Sequence, residues 1–451
     1  MTGAVGTRSA GPAASEREHG ARRPAAVRSR FDGRLAIAFA AAATALGAAG
    51  CETLRGSATP ESPSWLHHPG GALSVTFRRD LTGATRRGPI MEEYERGRPE
   101  LDLAHRRVFV GSSDRGFYAL RADDGSLIWR FETMGSVQCE PLYDPAEDVV
   151  YFGSNDGALY KVRAVDGHLL YRFATNGEVA RRPVLRAGML YVMNANDTLL
   201  ALDAKTGALK WTQHRTPAFG MEIGGYAGPT VAGDRVFAAY SDGLVDVYSA
   251  VDGAERWPGG VDLAAEAEQT AGGETPKYLD VDTTPIVDTI ASGEVVFVAS
   301  YVGGVFALDT DNGARAWVNE KATGVTELAL WTQPAHRATA GGPETPARKV
   351  LLASSGLTGL WGIDPNEGRT LWHRNLPEGG MTAPVPVAGA VLVGTTRYGM
   401  FLFSPVDGAL IDGIQTDSGF AMAPAAAGVR AFVMSNGGAF LGLMIQPPPK
   451  G

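Results

Sequence analysis

One acidic pair in this 451-residue sequence has a spacing that suits the binding of a cation. Residues 279–285, LDVDTTP, alternate in polarity, so Asp280 and Asp282 lie on one face of an extended backbone. Two neighbouring carboxylates suit an arginine or lysine from a partner. An alternative of at least equal weight is that both carboxylates cap a turn before the proline.

The other residues whose side chains could catalyse a reaction or bind a metal do not form a catalytic pattern. The sequence lacks G-x-x-x-x-G-K-[ST], H-E-x-x-H and G-x-S-x-G. His67 and His68 are adjacent, and in an extended segment they point to opposite faces. Asp309, Asp311 and Asn312 resemble a calcium loop superficially, but the glycine comes one place early. We therefore predict no catalytic residue, no metal site and no cofactor.

A second candidate binding element is the loop at residues 219–226, FGMEIGGY. Met221 and Ile223 are exposed if this loop projects from the molecule, and exposed apolar residues on loops are often contact points. The alternative is that both side chains pack down onto the rest of the fold.

A repeat that runs through most of the chain positions these residues. In residues 189–211, two short runs of strand-forming residues flank an Asn/Asp turn, and a glycine turn and a tryptophan follow. Each full copy has this turn glycine: Gly125, Gly167, Gly207, Gly253, Gly313, Gly368 and Gly408. Four residues later stand Trp129, Tyr171, Trp211, Trp257, Trp317, Trp372 and, as the exception, Asp412.

Repeats of about 40 residues with several short strands each predict an all-β, eight-bladed β-propeller of four-stranded antiparallel blades. Seven full copies and the fragment at residues 431–445 make eight blades, and the fragment lacks its last strand. We expect residues 73–77 to supply that strand and close the ring, which removes open edges. We expect the six aromatic residues to dock each blade on its neighbour, because one copy cannot bury both of its faces alone.

The first 50 residues predict a lipoprotein signal peptide. An arginine-rich start precedes an apolar run at residues 35–46 that is short for a membrane span, and small residues precede Cys51. We expect Cys51 to be lipidated, although Ala48 stands where leucine is usual; an ordinary cleavage site beside an incidental cysteine is the alternative. Residues 51–64 then form a tether, residues 65–446 the propeller as one domain, and residues 447–451 a tail.

Charge and cysteine content limit the partners. The chain has a net charge of -8, and residues 1–50 hold seven arginines and three acidic residues, so the remainder carries -12. Such an acidic body argues against nucleic acid or an anionic lipid surface as a binding partner. The two cysteines form no disulfide framework, and Cys139 is expected to be a small buried hydrophobe. Two insertions, residues 258–277 and 334–349, are expected to be surface loops between blades.

The glycine and tryptophan signature of residues 204–211, AKTGALKW, resembles the repeat of the pyrroloquinoline-quinone (PQQ) propeller superfamily. Three stretches more narrowly resemble the BamB family of lipoproteins, which belong to the outer-membrane β-barrel assembly machinery: GEVARRP (177–183), DVDTTP (280–285) and DSGF (417–420). The order of signal peptide, lipidated cysteine, tether and eight blades also matches, so the resemblance extends over nearly the whole chain.

The resemblance implies a non-enzymatic scaffold, lipid-anchored on the periplasmic face of the outer membrane. Its implied partners are the POTRA repeats of the barrel-inserting subunit BamA and unfolded outer-membrane barrel precursors. Acidic contacts of the family correspond to Asp280 and Asp282, and apolar contacts to Met221 and Ile223. Gly224 stands where the family motif has an arginine, so one charge contact is missing here.

Two other functions stay open. A quinoprotein dehydrogenase has a similar repeat, but resemblance to those enzymes implies a vicinal cysteine pair and a calcium-bound quinone in the ring centre. Cys51 and Cys139 are not adjacent, so they cannot form that pair. The second alternative is a PQQ-repeat propeller that serves a different envelope complex.

Overall fold

The strands expected from the repeat are present throughout the part of the chain that the structure, a computed structural model, describes. That part comprises residues 71–81, 95–217, 226–263, 265, 280–337, 344–375, 379–416 and 418–446. It forms eight four-stranded antiparallel sheets and one two-stranded hairpin, which confirms the eight-bladed propeller. All these residues fall in one unit, Ser62–Gly451.

The strands follow the chain blade by blade, apart from an N-terminal strand, β1 (Leu73–Asp80). Blades 1 to 4 contain β2 (Glu100–Asp102), β3 (Arg107–Gly111), β4 (Gly116–Arg121), β5 (Leu127–Glu132); β6 (Leu142–Asp144), β7 (Val149–Ser154), β8 (Ala158–Arg163), β9 (Leu169–Ala174); β10 (Val184–Arg186), β11 (Met189–Asn194), β12 (Thr198–Asp203), β13 (Leu209–His214); and β14 (Thr230–Ala232), β15 (Arg235–Ala239), β16 (Leu244–Ser249), β17 (Val261–Asp262).

Blades 5 to 8 continue the same order. They contain β18 (Ile286–Ile290), β19 (Gly293–Ser300), β20 (Gly304–Asp309), β21 (Arg315–Asn319); β22 (Val325–Gln333), β25 (Arg348–Ser355), β26 (Gly359–Ile363), β27 (Thr370–Arg374), with the hairpin β23 (His336–Arg337) and β24 (Glu344–Thr345); β28 (Val385–Val387), β29 (Ala390–Gly394), β30 (Gly399–Phe403), β31 (Leu410–Gln415); and β32 (Ala425–Ala427), β33 (Arg430–Met434), β34 (Ala439–Ile445).

Burial along the strands explains the hydrophobic pattern of the repeat. The second and third strands of a blade are buried on both faces, as in β7 and β8, because a neighbouring blade covers each face. The fourth strands β5, β9 and β13 instead alternate between exposed and partly buried residues. The apolar runs therefore mark the two middle strands, and the tryptophan marks the fourth.

The hydrophobic core is divided into eight clusters, and each lies between two neighbouring blades. One cluster, for example, packs Phe109 and Phe117 of blade 1 on Val150 and Phe152 of blade 2. The last cluster packs blade 1 on blade 8. Each blade is thus stabilised by its two neighbours, which is how a chain of this length avoids a single oversized core.

The ring closes through the N-terminal strand, as the sequence predicted. Strand β1 pairs antiparallel with β34, from Leu73 opposite Ile445 to Asp80 opposite Ala439. Blade 8 is therefore built from both ends of the propeller, and its outer edge is covered by a strand that is distant in sequence. Among the described residues, no helix has the length and apolar character needed to cross a membrane.

The expected position between blades was wrong for one of the two insertions, residues 334–349. Residues 334–349 lie within blade 6, between its first strand β22 and its second strand β25, where β23 and β24 form a hairpin. Residues 258–277 include β17, which pairs with β16 as the fourth strand of blade 4; residues 264 and 266–279 lie outside the described part. The turn glycines measure only the distance between copies, so they could not locate the extra residues relative to the strands.

Candidate functional site

The six aromatic residues singled out in the sequence lie at equivalent places between blades. Each ring covers the turn glycine of the following blade: a methyl group on Gly167 would lie 2.8 Å from the Trp129 ring, and one on Gly313 would lie 3.3 Å from the Trp257 ring. Each ring also donates a hydrogen bond, at 2.9–3.3 Å, to the carbonyl three residues before that glycine: Trp129 to Ala164, Tyr171 to Ala204, Trp211 to Ala250, Trp257 to Thr310, Trp317 to Pro365 and Trp372 to Pro405.

Phe77 makes the equivalent contact where the ring closes, and sequence reasoning missed it. It pairs with Gly442 on β34, and a methyl group on Gly125 of blade 1 would lie 2.6 Å from its ring. The exception Asp412 has a matching explanation, because its Oδ2 accepts a hydrogen bond of 2.7 Å from the Leu73 nitrogen. The fourth strand of blade 8 comes from the N-terminus, so blade 7 has no turn glycine to cover and bonds the start of β1 instead.

The first strands surround the ring axis, because they contact one another from blade to blade, as β14 does with β10 and β18. Arg181 lies in the segment before the first strand of blade 3, and Glu327 lies in the first strand of blade 6. Their side chains form an ion pair, Nη1 to Oε1, at 2.6 Å. Since blades 3 and 6 are not neighbours, this ion pair crosses the centre of the ring.

The Arg181–Glu327 ion pair is part of a larger ionic network. Arg181 Nη1 lies 3.5 Å from Glu140 Oε1, and Arg98 Nη1 lies 3.1 Å from Glu140 Oε2. Burial disfavours the charge on Arg181, but the carboxylates of Glu327 and Glu140 outweigh it and raise the pKa of the guanidinium. Burial also opposes ionisation of Glu140, and the two arginines outweigh it and lower its pKa below the ordinary value.

The structure brings the acidic pair together beside this network. Asp280 and Asp282 are only 3% and 4% exposed. Neither carboxylate oxygen of Asp282 has a hydrogen-bond partner among the described residues, so this side chain does not cap a turn. Burial, with repulsion from Asp280, raises the pKa of Asp282 to about 8, and Arg181 opposes this rise only in part. Arg181 Nη2 donates to the Asp282 main-chain oxygen at 3.3 Å.

Residues 226–228, at the end of the apolar loop, lie against the acidic segment. Met221 and Ile223 lie outside the described residues, and Tyr226 is the first described residue after them. Arg181 Nε donates a hydrogen bond to the Tyr226 main-chain oxygen. Thr284 Oγ1 also accepts a 2.9 Å hydrogen bond from the nitrogen of residue 228. Residues 226–228 and the acidic segment therefore meet in space, although residue 228 and Thr284 are 56 residues apart in sequence.

Comparison with known proteins identifies the relationship. A family model described as "Outer membrane protein assembly factor BamB" matches residues 145–340, the stretch that contains Arg181, Glu327 and the acidic pair. The BamB of Yersinia pestis is 28% identical over 339 residues, which cover 73% of this chain. The chain is similar to BamB over most of its length. Four further curated relatives have the same name, and the matches span 48–67% of the length of the five relatives.

Solved structures support the fold. The crystal structure of BamB from Moraxella catarrhalis has a TM-score of 0.64 at 18% identity, over 83% of this chain and 100% of that one. A quinohemoprotein alcohol dehydrogenase from Pseudomonas putida HK5 has a TM-score of 0.57 at 13% identity, over 85% of this chain and 78% of that one. BamB and these enzymes therefore share the propeller, and the fold alone does not separate a scaffold from an enzyme.

The axis of this propeller does not suit the quinone of the enzyme alternative. The Arg181–Glu327 ion pair spans the ring centre, and a planar cofactor there would have to displace it. Cys139 is fully buried and free, and burial raises the pKa of its thiol to about 12. It therefore behaves as the inert hydrophobe expected from the sequence. Cys51 lies outside the described residues.

One further polar cluster could be mistaken for a metal site. Ligand atoms of Asp102, His105 and Asp148 lie within 4.8 Å of one another. Arg107 already neutralises this cluster: its Nε lies 2.6 Å from Asp102 Oδ2, and its Nη2 pairs with Asp148 Oδ1. Burial opposes ionisation of Asp102, but the hydrogen bonds from Arg107 and His105 and the charge of Arg107 together outweigh it and lower the pKa. The cluster is thus an ion-pair network that joins blades 1 and 2.

Proposed function

We propose that the chain is a non-catalytic scaffold lipoprotein that assists the assembly and insertion of β-barrel proteins into the outer membrane by binding BamA. The observation that carries this proposal is the similarity to BamB over 73% of the chain, since that relative is named as an outer membrane protein assembly factor. The acidic character of the body, with a net charge of -12 after residue 50, agrees with a partner that presents positive charge.

The proposed binding surface combines the acidic pair with the apolar loop. Asp280 and Asp282 would accept hydrogen bonds from an arginine or lysine of the BamA POTRA repeats, and Met221 and Ile223 would supply apolar contact area. Asp282 suits this role, because both of its carboxylate oxygens lack a donor among the described residues. A cation from the partner would therefore satisfy a carboxylate that burial disfavours. Unfolded barrel precursors are proposed as further ligands of the same scaffold.

The test of BamA binding is a pull-down with purified POTRA repeats from the same bacterium. The isosteric double variant Asp280→Asn with Asp282→Asn is expected to lose most of the recovered BamA. The matched control is Asp309→Asn with Asp311→Asn, which removes two acids of the same spacing from a turn of blade 5. Unchanged recovery in the first variant, together with unchanged recovery after Met221→Ser with Ile223→Ser, would reject the proposed surface.

The proposed location is the periplasmic face of the outer membrane, with Cys51 as the lipidated anchor. Cys51→Ala is then expected to move the protein from the membrane fraction into the soluble periplasm. Cys139→Ala is the control, because this buried cysteine lies between blades 1 and 2 and has no part in anchoring. Retention of the Cys51→Ala protein in the membrane fraction would count against the anchor.

Two outcomes would favour the other functions. A rise in melting temperature on addition of PQQ and calcium would favour the dehydrogenase alternative, whereas we expect no change. Crosslinking in the cell envelope that recovers another complex and no BamA would favour a scaffold of that complex.

A further inference from the structure

Arg181 contacts both Tyr226, at the end of the apolar loop, and Asp282 of the acidic pair. Arg181 donates through Nε to the Tyr226 main-chain oxygen and through Nη2 to the Asp282 main-chain oxygen, the latter at 3.3 Å. Its Nη1 pairs with Glu327 at 2.6 Å and lies 3.5 Å from Glu140. Four segments from different blades thus converge on a single guanidinium, whose side chain is 11% exposed.

The two carbonyls matter more than the two carboxylates for the geometry of the surface. Tyr226 is the last residue of the loop at residues 219–226, and Asp282 belongs to the acidic pair. A guanidinium is planar and rigid, so donors on different nitrogens hold their acceptors at a defined separation. Glu327 approaches from the opposite side of the axis and adds one charge-assisted hydrogen bond of 2.6 Å to the same guanidinium.

Arg181 also holds Asp282 in a particular manner. The hydrogen bond goes to the main-chain oxygen, while both carboxylate oxygens of Asp282 remain without a donor among the described residues. The arginine therefore fixes the position of the residue and leaves its carboxylate available for a donor from elsewhere. Thr284 adds to the same junction by accepting a hydrogen bond of 2.9 Å from the nitrogen of residue 228.

We propose that Arg181 is a positioning residue for partner binding: it holds the segment that contains Asp280 and Asp282 against Tyr226, so that the partner meets one preformed surface. The inference rests on the proposed function. It gives Arg181, on the ring axis, an indirect role: this residue orders the binding surface and does not touch the partner. A preformed surface binds more tightly, because less ordering remains to be done on association.

Arg182 provides a matched control. It is the next residue, and it also forms a bidentate ion pair, with Glu100 at 2.6 and 2.7 Å. Among the described residues, its side-chain hydrogen bonds go to Glu100 and reach neither Tyr226 nor the acidic pair. Its side chain is 44% exposed, so its loss is expected to have little effect on stability.

The experiment compares Arg181→Lys, Arg181→Met and Arg182→Met in the full chain. Lysine keeps the positive charge near Glu327 and Glu140 but cannot bridge two carbonyls with a rigid fork, so the fold is retained while the junction loosens. Affinity for purified BamA POTRA repeats is expected to fall about tenfold in Arg181→Lys and further in Arg181→Met, and to stay within about twofold in Arg182→Met.

Amide hydrogen exchange separates positioning from general destabilisation. In Arg181→Lys, exchange is expected to rise at residues 226–228 and 280–284 and to stay unchanged in the strands of blade 7. Loss of affinity without this local rise would overturn the proposal and make Arg181 a direct contact. A local rise without loss of affinity would overturn it as well. If the unmodified chain does not bind BamA, the proposed function fails, and unchanged local exchange in the variant would separately refute the positioning role.

Discussion

A substitution at one turn glycine tests whether contact with the tryptophan of the preceding blade holds neighbouring blades together. Gly408 and Gly389 both belong to blade 7 and have positive φ angles of 68° and 82°. A methyl group on Gly408 would lie 2.7 Å from Cδ2 and 2.9 Å from Cζ3 of Trp372, in blade 6. A methyl group on Gly389 would meet nothing within 4 Å. Gly408→Ala and Gly389→Ala therefore share the backbone strain and differ in the clash.

The structure sets the expected magnitudes. An alanine in the left-handed region costs about 1–2 kcal/mol, and this applies to both variants. At Gly408 the new methyl group must also displace the buried Trp372 ring and strain its 2.9 Å hydrogen bond to the Pro405 oxygen. Overpacking of this kind costs about 1–3 kcal/mol more. Gly408→Ala is therefore expected to lower the free energy of unfolding by about 1–3 kcal/mol more than Gly389→Ala does.

The assay is urea unfolding followed by far-ultraviolet circular dichroism. A second pair of proteins, Trp372→Ala with and without Gly408→Ala, isolates the contact, because the clash is absent once the ring is removed. In that background Gly408→Ala is expected to cost only about 1–2 kcal/mol, the backbone term. Equal destabilisation by Gly408→Ala and Gly389→Ala, or an undiminished cost in the Trp372→Ala background, would refute the reasoning.

Three further predictions concern the acidic pair and the ring closure. Folding raises the pKa of Asp282 from 3.8 to about 8, so the stability contributed by its protonated carboxyl group is fully present below about pH 4 and is lost as the pH rises to about 8. Asp282→Asn should therefore raise the melting temperature at pH 9 and leave it unchanged at pH 4. Phe77→Ala should destabilise the ring by about 2–4 kcal/mol in urea titrations, whereas Val75→Ala, on the same strand and 46% exposed, should cost under about 0.5 kcal/mol; equal costs would contradict the role of Phe77 in closure. Asp412→Ala should lower the free energy of unfolding by about 1–3 kcal/mol and speed amide exchange at Leu73, whose nitrogen loses its acceptor. Unchanged exchange at Leu73 would show that this hydrogen bond does not hold the start of β1 in place.

The repeat of a turn glycine followed four residues later by an aromatic residue was enough to predict the propeller, because strand and turn formation depend on residues that are neighbours in sequence. The seven turn glycines adopt φ angles of 68–74°, a region that other residues enter only with strain. Closure by the N-terminal strand was also predictable, since the last copy visibly lacks its fourth strand. The role of Phe77 could have been found by asking which residue of that strand replaces the missing tryptophan.

The candidate site was only partly predictable. Asp280 and Asp282 were found from their alternating spacing, and the structure brings them together. Their burial, and the presence of Arg181 beside them, could not be read from the spacing. GEVARRP was noticed as a family-like stretch, but its first arginine had no assigned role. Comparing the segments before Pro141, Pro183 and Pro285 would have suggested that charged residues recur near the ring axis.

The amino-acid sequence by itself determined the number of blades, the order of their strands and the glycine turns, because each of these follows from short-range preferences repeated along the chain. Only the tertiary structure decided what occupies the ring axis. Arg181 and Glu327 are 146 residues apart, and they meet because eight blades close into a circle that points their first strands at one centre. Closure of the ring thus brings charged residues that are distant in sequence into one ionic network. The contact between Arg181 and Glu327 cannot be predicted from any local sequence pattern.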